Sequence, residues 1–272
     1  MKKLSIFRLR SFGIITIVLL GVIAALYCND SLAQESGASK VADYRTFFGL
    51  NPRILVWVIA ELHLMFGAFV LGVPMFAVVM EMIYAKTRDE KIDKLAHEMA
   101  KLLSAAFATT AALGGLLAFT LFSLYPTFSM ELTRIFNKAM WIYALFFFGE
   151  TFCLYAWYYS WDILKDGYKK IYHITIGMFL NLFGTAIMMA ANSWATFMMS
   201  PSGLNIETGE VENLWHAIAN PLWNPVNIHR LLGNLAFGGI VVSAYAAVRF
   251  MGSKTEEEKG HYDWMGYIGN FV

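Results

Sequence analysis

Ionisable side chains are scarce in this chain, and those able to do chemistry stand inside long apolar stretches. Glu61 and His63 fall early in one stretch and Glu81 near its end. Glu150 sits within Phe146-Phe147-Phe148-Gly149-Glu150-Thr151, and His173 opens a stretch that runs to Asn192-Ser193-Trp194. His229 and Arg230 follow Asn224-Pro225-Val226-Asn227-Ile228. An ionisable group at membrane depth is costly, so each of these is a functional candidate by default. Imidazoles in apolar surroundings, with no Cys pair and no carboxylate-rich set beside them, suit haem iron better than zinc or a di-iron centre. One ring nitrogen coordinates while a hydrogen bond holds the other, and an adjacent arginine suits a haem propionate or a lipid phosphate. A lone buried histidine is also commonly a hydrogen-bonded packing residue, and that reading stays open for His63 and His229. In a third reading Glu61, Glu81 and Glu150 line a haem-free proton or ion path. Pro74 is the only proline inside a run, and a single kink is tolerated without the broken helix such a path favours. His97, His216 and His261 fall in connections or in the tail and read as solvated surface residues.

The elements that position these groups follow from composition. Of 272 residues, 58% are hydrophobic, 16% aromatic and only 15% charged, whereas soluble domains carry roughly a quarter charged residues. This excludes a disordered chain, a disulfide scaffold and an ordinary soluble enzyme. A net charge of +1 without a long basic block argues against a nucleic-acid partner. Five apolar runs, 54–84, 102–124, 139–161, 171–199 and 228–250, are each long enough for a tilted membrane-spanning helix. The expected fold is therefore an all-α integral membrane protein, a bundle of five transmembrane helices plus an N-terminal signal or signal-anchor helix. Walker, dinucleotide, CxxCH and zinc-spacing motifs are absent from the sequence. Cys153, inside a run, reads as a small buried hydrophobe. Gly114-Gly115 and Gly238-Gly239 read as sites of close helix packing. Trp57, Trp141, Trp157, Trp161, Trp194, Trp215 and Trp223 lie near run ends and read as an interfacial belt. Asn224 reads as the cap of the fifth helix, with Pro225 at its first position.

Lys2, Lys3, Arg8 and Arg10 precede a short apolar segment and Ser31-Leu32-Ala33, the pattern of an export signal, cleaved or retained. Residues 1–33 are thus expected to be a signal peptide or signal anchor, and 34–52 a periplasmic arm. Lys86, Arg88, Lys91, Lys94 and Lys101 fall after the first run, Lys165, Lys169 and Lys170 after the third, and Arg249, Lys254 and Lys259 around the end of the fifth. Residues 200–227 contain no Lys or Arg, and the connection after the second run holds only Arg134 and Lys138. The positive-inside rule then places odd-numbered connections in the cytoplasm and even-numbered ones outside. His63 and His229 are expected at one depth, toward the periplasmic side of a bacterial inner membrane, with the C-terminus cytoplasmic.

The ordered motifs resemble subunit I of the cytochrome bd quinol oxidases over 56–250. His63-Leu64-Met65-Phe66 through Pro74 and Met80-Glu81-Met82-Ile83-Tyr84 look like that family's first helix. Phe147-Phe148-Gly149-Glu150-Thr151 looks like its helix with a buried proton-pathway carboxylate. His173, then Ala191-Asn192-Ser193-Trp194 and Pro201-Ser202-Gly203, are similar to the next helix. Asn220-Pro221 or Asn224-Pro225, followed by Val226-Asn227-Ile228-His229, looks like the start of the fifth. The resemblance implies His63 as axial ligand of a high-spin haem, His229 as ligand of low-spin haem b, and Glu150 as a proton-conducting or haem-adjacent acid. It also implies Trp194 near a haem edge, while Arg230 is read as a cofactor contact from its charge beside His229. One or two haem b groups are expected, with a second axial ligand from another chain. The family carries a second glutamate eight residues before the position of Glu150, where this chain has Ile142. The resemblance reaches only the family's first half, so a second polypeptide is expected to supply the quinol-binding loop and the later haem ligands. The implied function is a haem b membrane subunit of a respiratory electron-transfer complex. It would pass electrons between the quinone pool and a partner, as part of a terminal quinol oxidase or as the anchor of a periplasmic oxidoreductase. Residues 53–250 form the haem domain of this reading, and 251–272 a cytoplasmic tail or the start of a partner-docking helix.

Overall fold

The computed structural model describes residues 51–271 except 166 and 206. Residues 1–33, expected to be an export segment, and nearly all of 34–52, expected to be an arm, lie outside the described residues. The described chain is all-helical, with a single isolated bridge between Leu204 and Val211. Its helices are α1 (Pro52–Thr87), α2 (Glu90–Leu124), α3 (Pro126–Tyr159), α4 (Lys169–Met199), α5 (Leu214–Ile218), α6 (Trp223–Gly252) and α7 (Glu256–Phe271). Of these, α1, α2, α3, α4 and α6 are long and apolar enough to cross a membrane. At 36 residues, α1 is about 54 Å long, far beyond a hydrocarbon core of about 30 Å. Its ends therefore lie in water or the headgroup region.

The helix boundaries differ from the apolar runs, because charged turns extend the helices past the lipid-facing part. α2 starts at Glu90 rather than Leu102, so Lys91, Lys94 and Lys101 stand on the helix. Only Arg88 and Asp89 connect it to α1. Arg88 takes the left-handed conformation at φ 57°, and its N–H donates to the Tyr84 carbonyl at 2.8 Å, which closes α1. Asp89 then caps α2 by accepting from the Lys91 N–H at 2.9 Å, while Glu90 and Asp93 complement the dipole of its first turn. Arg134 and Lys138 likewise belong to α3, which begins at Pro126, where a missing N–H costs nothing. α6 begins at Trp223, so Asn224 is inside the helix and not its cap. Asn220 serves the turn instead, accepting from the Leu222 N–H.

Two compact units make up the chain. One includes the described residues up to Met65 and 108–134; the other includes 66–107 and 135–271. The core of the second unit is apolar and tightly closed, with Val73, Ala77, Met99, Leu154, Val242 and Met265 fully buried. Large apolar side chains outside the core, such as Phe119, Leu145 and Phe152, are exposed, as befits surfaces that meet lipid. Cys153 is buried and free. In the 200–222 connection, Asn220 donates from Nδ2 to Thr196 Oγ1 at 2.8 Å and to the Ser193 carbonyl at 3.2 Å, tying the loop to α4. Asn220→Leu would leave these acceptors unmatched and is expected to cost about 2 kcal/mol; comparison of detergent unfolding with limited proteolysis of the connection checks it.

The tail is structured. α7 folds back along α6: Ser243 Oγ donates to the Gly266 carbonyl at 3.0 Å, and Arg249 donates to the Tyr262 hydroxyl at 2.9 Å. His261, read from sequence as a solvated residue, is buried beside Glu98, and burial pushes its imidazole below the usual pKa. His97, read the same way, stacks on Trp161 with ring centroids 4.7 Å apart. Both depart from the sequence reading because one face of the start of α2 is buried, while Glu90, Lys91 and Lys94 stay exposed. His216 is exposed as expected.

Candidate functional site

In the first unit, α1 presents His63 and α2 presents Thr110 and Gly114. His63 Nδ1 lies 3.1 Å from the Thr110 carbonyl oxygen. A carbonyl only accepts, so Nδ1 carries a proton, and in the neutral ring the lone pair is then on Nε2. A Cβ on Gly114 would stand 2.9 Å from His63 Cε1, so the glycine makes the space that the half-buried ring occupies. The arrangement is that of an oriented, neutral imidazole with one nitrogen available for coordination.

The second unit holds Glu150, Trp194, His229 and Arg230. Glu150 is buried on α3 with an oxygen turned toward Gly184 of α4, and its carboxyl makes no hydrogen bond among the described residues. Arg230 donates from Nη1 to Asn192 Oδ1 at 2.6 Å, and Asn192 donates from Nδ2 to Asn227 Oδ1 at 2.7 Å. Asn192 and Asn227 are buried. Trp194 is half-buried two residues along α4, and His229 is exposed on α6. The structure thus joins Arg230 to the Asn192 motif and leaves His229 on a different face.

The sequence reading singled out Glu81 and His173 but not the buried polar cluster to which they belong. Glu81 of α1, Asp93 of α2, Trp157 at the end of α3 and Trp161 just past it, and Lys170 and His173 of α4 are all buried together. Lys170 Nζ donates to Glu81 Oε1 at 2.5 Å and to Asp93 Oδ1 at 3.4 Å. His173 Nδ1 lies 2.6 Å from Glu81 Oε1, and its Nε2 lies 2.8 Å from the Trp157 carbonyl. Trp157 Nε1 donates to Glu81 Oε2 at 2.7 Å. Lys165 closes the cluster with ion pairs to Glu90 at 2.8 Å and Asp93 at 3.2 Å; the Glu90 hydrogen bond holds its ammonium above the usual range. Trp157 and Trp161 are therefore hydrogen-bonded core residues and not part of an interfacial belt. The available signal was topological: Glu81, Glu90, Asp93, Lys165, Lys170 and His173 all lie in or beside the two lysine-rich connections after the first and third runs.

Comparison with known proteins agrees with this architecture. A protein of Bacillus subtilis (strain 168) provisionally named cytochrome bd menaquinol oxidase subunit I is 24% identical over 199 residues, which is 72% of this chain and 44% of that protein. A solved bd oxidase structure from Geobacillus thermodenitrificans superposes with a TM-score of 0.67 at 20% identity, covering 82% of this chain and 53% of the matched chain. The chain thus spans about half the length of these relatives, and the structural match speaks to the fold. The family described as cytochrome bd terminal oxidase subunit I matches residues 52–268, nearly the whole described helical region, and the chain belongs to that family.

Proposed function

We propose that this chain is a haem b-binding subunit of a respiratory quinol-linked complex in the bacterial inner membrane. Its haem sites face the periplasmic side and the lysine-rich helix ends face the cytoplasm. The observation that carries the reading is the His63 imidazole, fixed through Nδ1 on the Thr110 carbonyl with Nε2 left to coordinate and with Gly114 giving it room. These residues fit a haem iron: His63 Nε2 would be one axial ligand, and the exposed ring of His229 would be a ligand on the second unit. A bound haem would supply one-electron transfer, which no side chain here provides. The protein's part is to orient the imidazoles, keep their surroundings apolar and hold a proton. Glu150, buried without a cation partner, is the proton-holding group, and Trp194 and Arg230 flank the cofactor. Other membrane subunits of the respiratory complex are its partners, with a periplasmic cytochrome or oxidoreductase as a further one. The fully ion-paired state of Glu81 argues against the haem-free ion path, which needs that carboxylate mobile.

A reduced-minus-oxidised spectrum of the purified intact complex tests the reading. A haem b band should be present and should fall in His63→Ala and in His229→Ala. A complex with no haem band, or with bands unchanged in both variants, sinks it. Gly114→Val drives a side chain into the imidazole and is expected to weaken haem retention roughly ten- to hundredfold, the size of effect seen when a ligand's support is disturbed; pyridine haemochrome titration measures it.

A further inference from the structure

Hydrogen-bond direction around Asn192 can be assigned without ambiguity. A guanidinium only donates, so the Asn192 atom facing Arg230 is its oxygen. The Asn192 amide nitrogen therefore faces Asn227 and donates to that residue's oxygen. The Asn227 Nδ2 is then left over, buried and without a hydrogen-bond partner among the described residues. Asn227 is only 6% exposed, so an orphan amide there is costly unless something accepts from it. Arg230 lies three residues further along the same helix and has no carboxylate partner among the described residues. Both groups present donors, and the cation calls for negative charge.

Position sharpens what would fill the demand. Arg230 stands seven residues past the start of α6 and Asn192 seven before the end of α4, each about 10 Å from the helix end. Arg230 is partly buried there, so leaving its charge uncompensated carries a desolvation cost. Successive helix residues turn by about 100°, so Asn227 and Arg230 lie about 60° apart while His229 points roughly opposite Asn227.

We propose that Arg230 and Asn227, aligned through Asn192, form an oxyanion-binding site that takes a carboxylate or phosphate group inside the second unit. A carboxylate would come from a cofactor side chain, in which case the site rests on the haem reading above. A phosphate would come from a lipid headgroup, which is independent of that reading. Charge-assisted donors of this kind are the strong ones.

The test uses the purified intact complex with Arg230→Gln, Asn227→Leu and Asn227→Asp. The first two remove one donor each and are expected to weaken retention of the oxyanion roughly tenfold or more. Asn227→Asp keeps the oxygen that accepts from Asn192 and sets a carboxylate beside Arg230, so it evicts the ligand while preserving thermal unfolding, which covers poor folding of the others. For a headgroup, native mass spectrometry during detergent exchange shows loss of a retained phospholipid, with the haem reduction potential unchanged. For a cofactor carboxylate, lipid content holds and the reduction potential shifts. Unchanged lipid content and unchanged potential in all three variants mean that water satisfies Asn227, and overturn the proposal. A wild-type complex without haem refutes the haem reading alone, and the lipid measurement then decides this site.

Discussion

Lys170→Met is expected to destabilise the folded chain by about 3–5 kcal/mol, the penalty for stripping one partner from a buried ion pair. Lys170 is 1% exposed and its ammonium stands between Glu81 and Asp93, which are equally shut away from solvent. Methionine conserves the length of the stem but leaves two carboxylates facing each other across an apolar gap. His173, Trp157, Trp161 and Lys165 still donate to them, yet none can take the position between the two. Replacing the attracting groups together should cost far less, because the desolvation of the remaining charge is removed with the interaction. The double variant Glu81→Leu, Lys170→Leu is thus expected to be more stable than either single variant. Equilibrium unfolding in detergent, followed by tryptophan emission from Trp157 and Trp161, measures all of them. A Lys170→Met chain within about 1 kcal/mol of wild type would show that the cluster contributes no more than an exposed ion pair.

That cluster also marks the limit of what composition can reveal. Apolar run length suffices to count the spans, because a helix facing lipid must satisfy its backbone internally and present apolar side chains. It cannot find the helix ends, since Glu90 to Lys101 turns helical by packing against neighbours and not by its own hydropathy. Asp93, His97 and Glu98 were hidden inside an apparently polar connection for that reason. The imidazole of His63 was legible as a candidate from its apolar setting, but its tautomer depends on the Thr110 carbonyl, forty-seven residues away. Similarly, Arg230 invites an anion from sequence alone, whereas the orphan amide of Asn227 exists only because Asn192 comes from another helix. Long-range pairs of this kind have no local signature. Topology narrows them: Glu81, Asp93, Lys170 and His173 all stand near run ends on the lysine-rich side, where opposite charges at one depth are bound to seek each other.

Gly72→Val should be nearly as damaging as the loss of Lys170, at about 3 kcal/mol, for a steric reason. Here α1 and α6 touch backbone to backbone. A Cβ on Gly72 would overlap the Asn234 carbonyl oxygen and stand 2.9 Å from the Gly238 nitrogen, and one on Gly238 would stand 2.6 Å from the Gly72 carbonyl carbon. These are main-chain atoms, so no rotamer change relieves the overlap and the helices must separate. Separation opens the tightly packed core around Val73, Ala77, Val242 and Ala246, all with no exposed surface, and it is dispersion between such surfaces that holds helices together in lipid. Overpacking typically costs about 1–3 kcal/mol when side chains can adjust; with backbone on both sides the upper end applies. Gly67 and Gly233 lie on the same two helices and have nothing within 4 Å of an added Cβ. Gly67→Ala and Gly233→Ala should therefore be neutral, or stabilising by up to about 1 kcal/mol from helix propensity. The three variants compared in one detergent unfolding series separate steric contact from backbone entropy. Equal destabilisation of Gly72→Val and Gly67→Ala would refute the close α1–α6 contact.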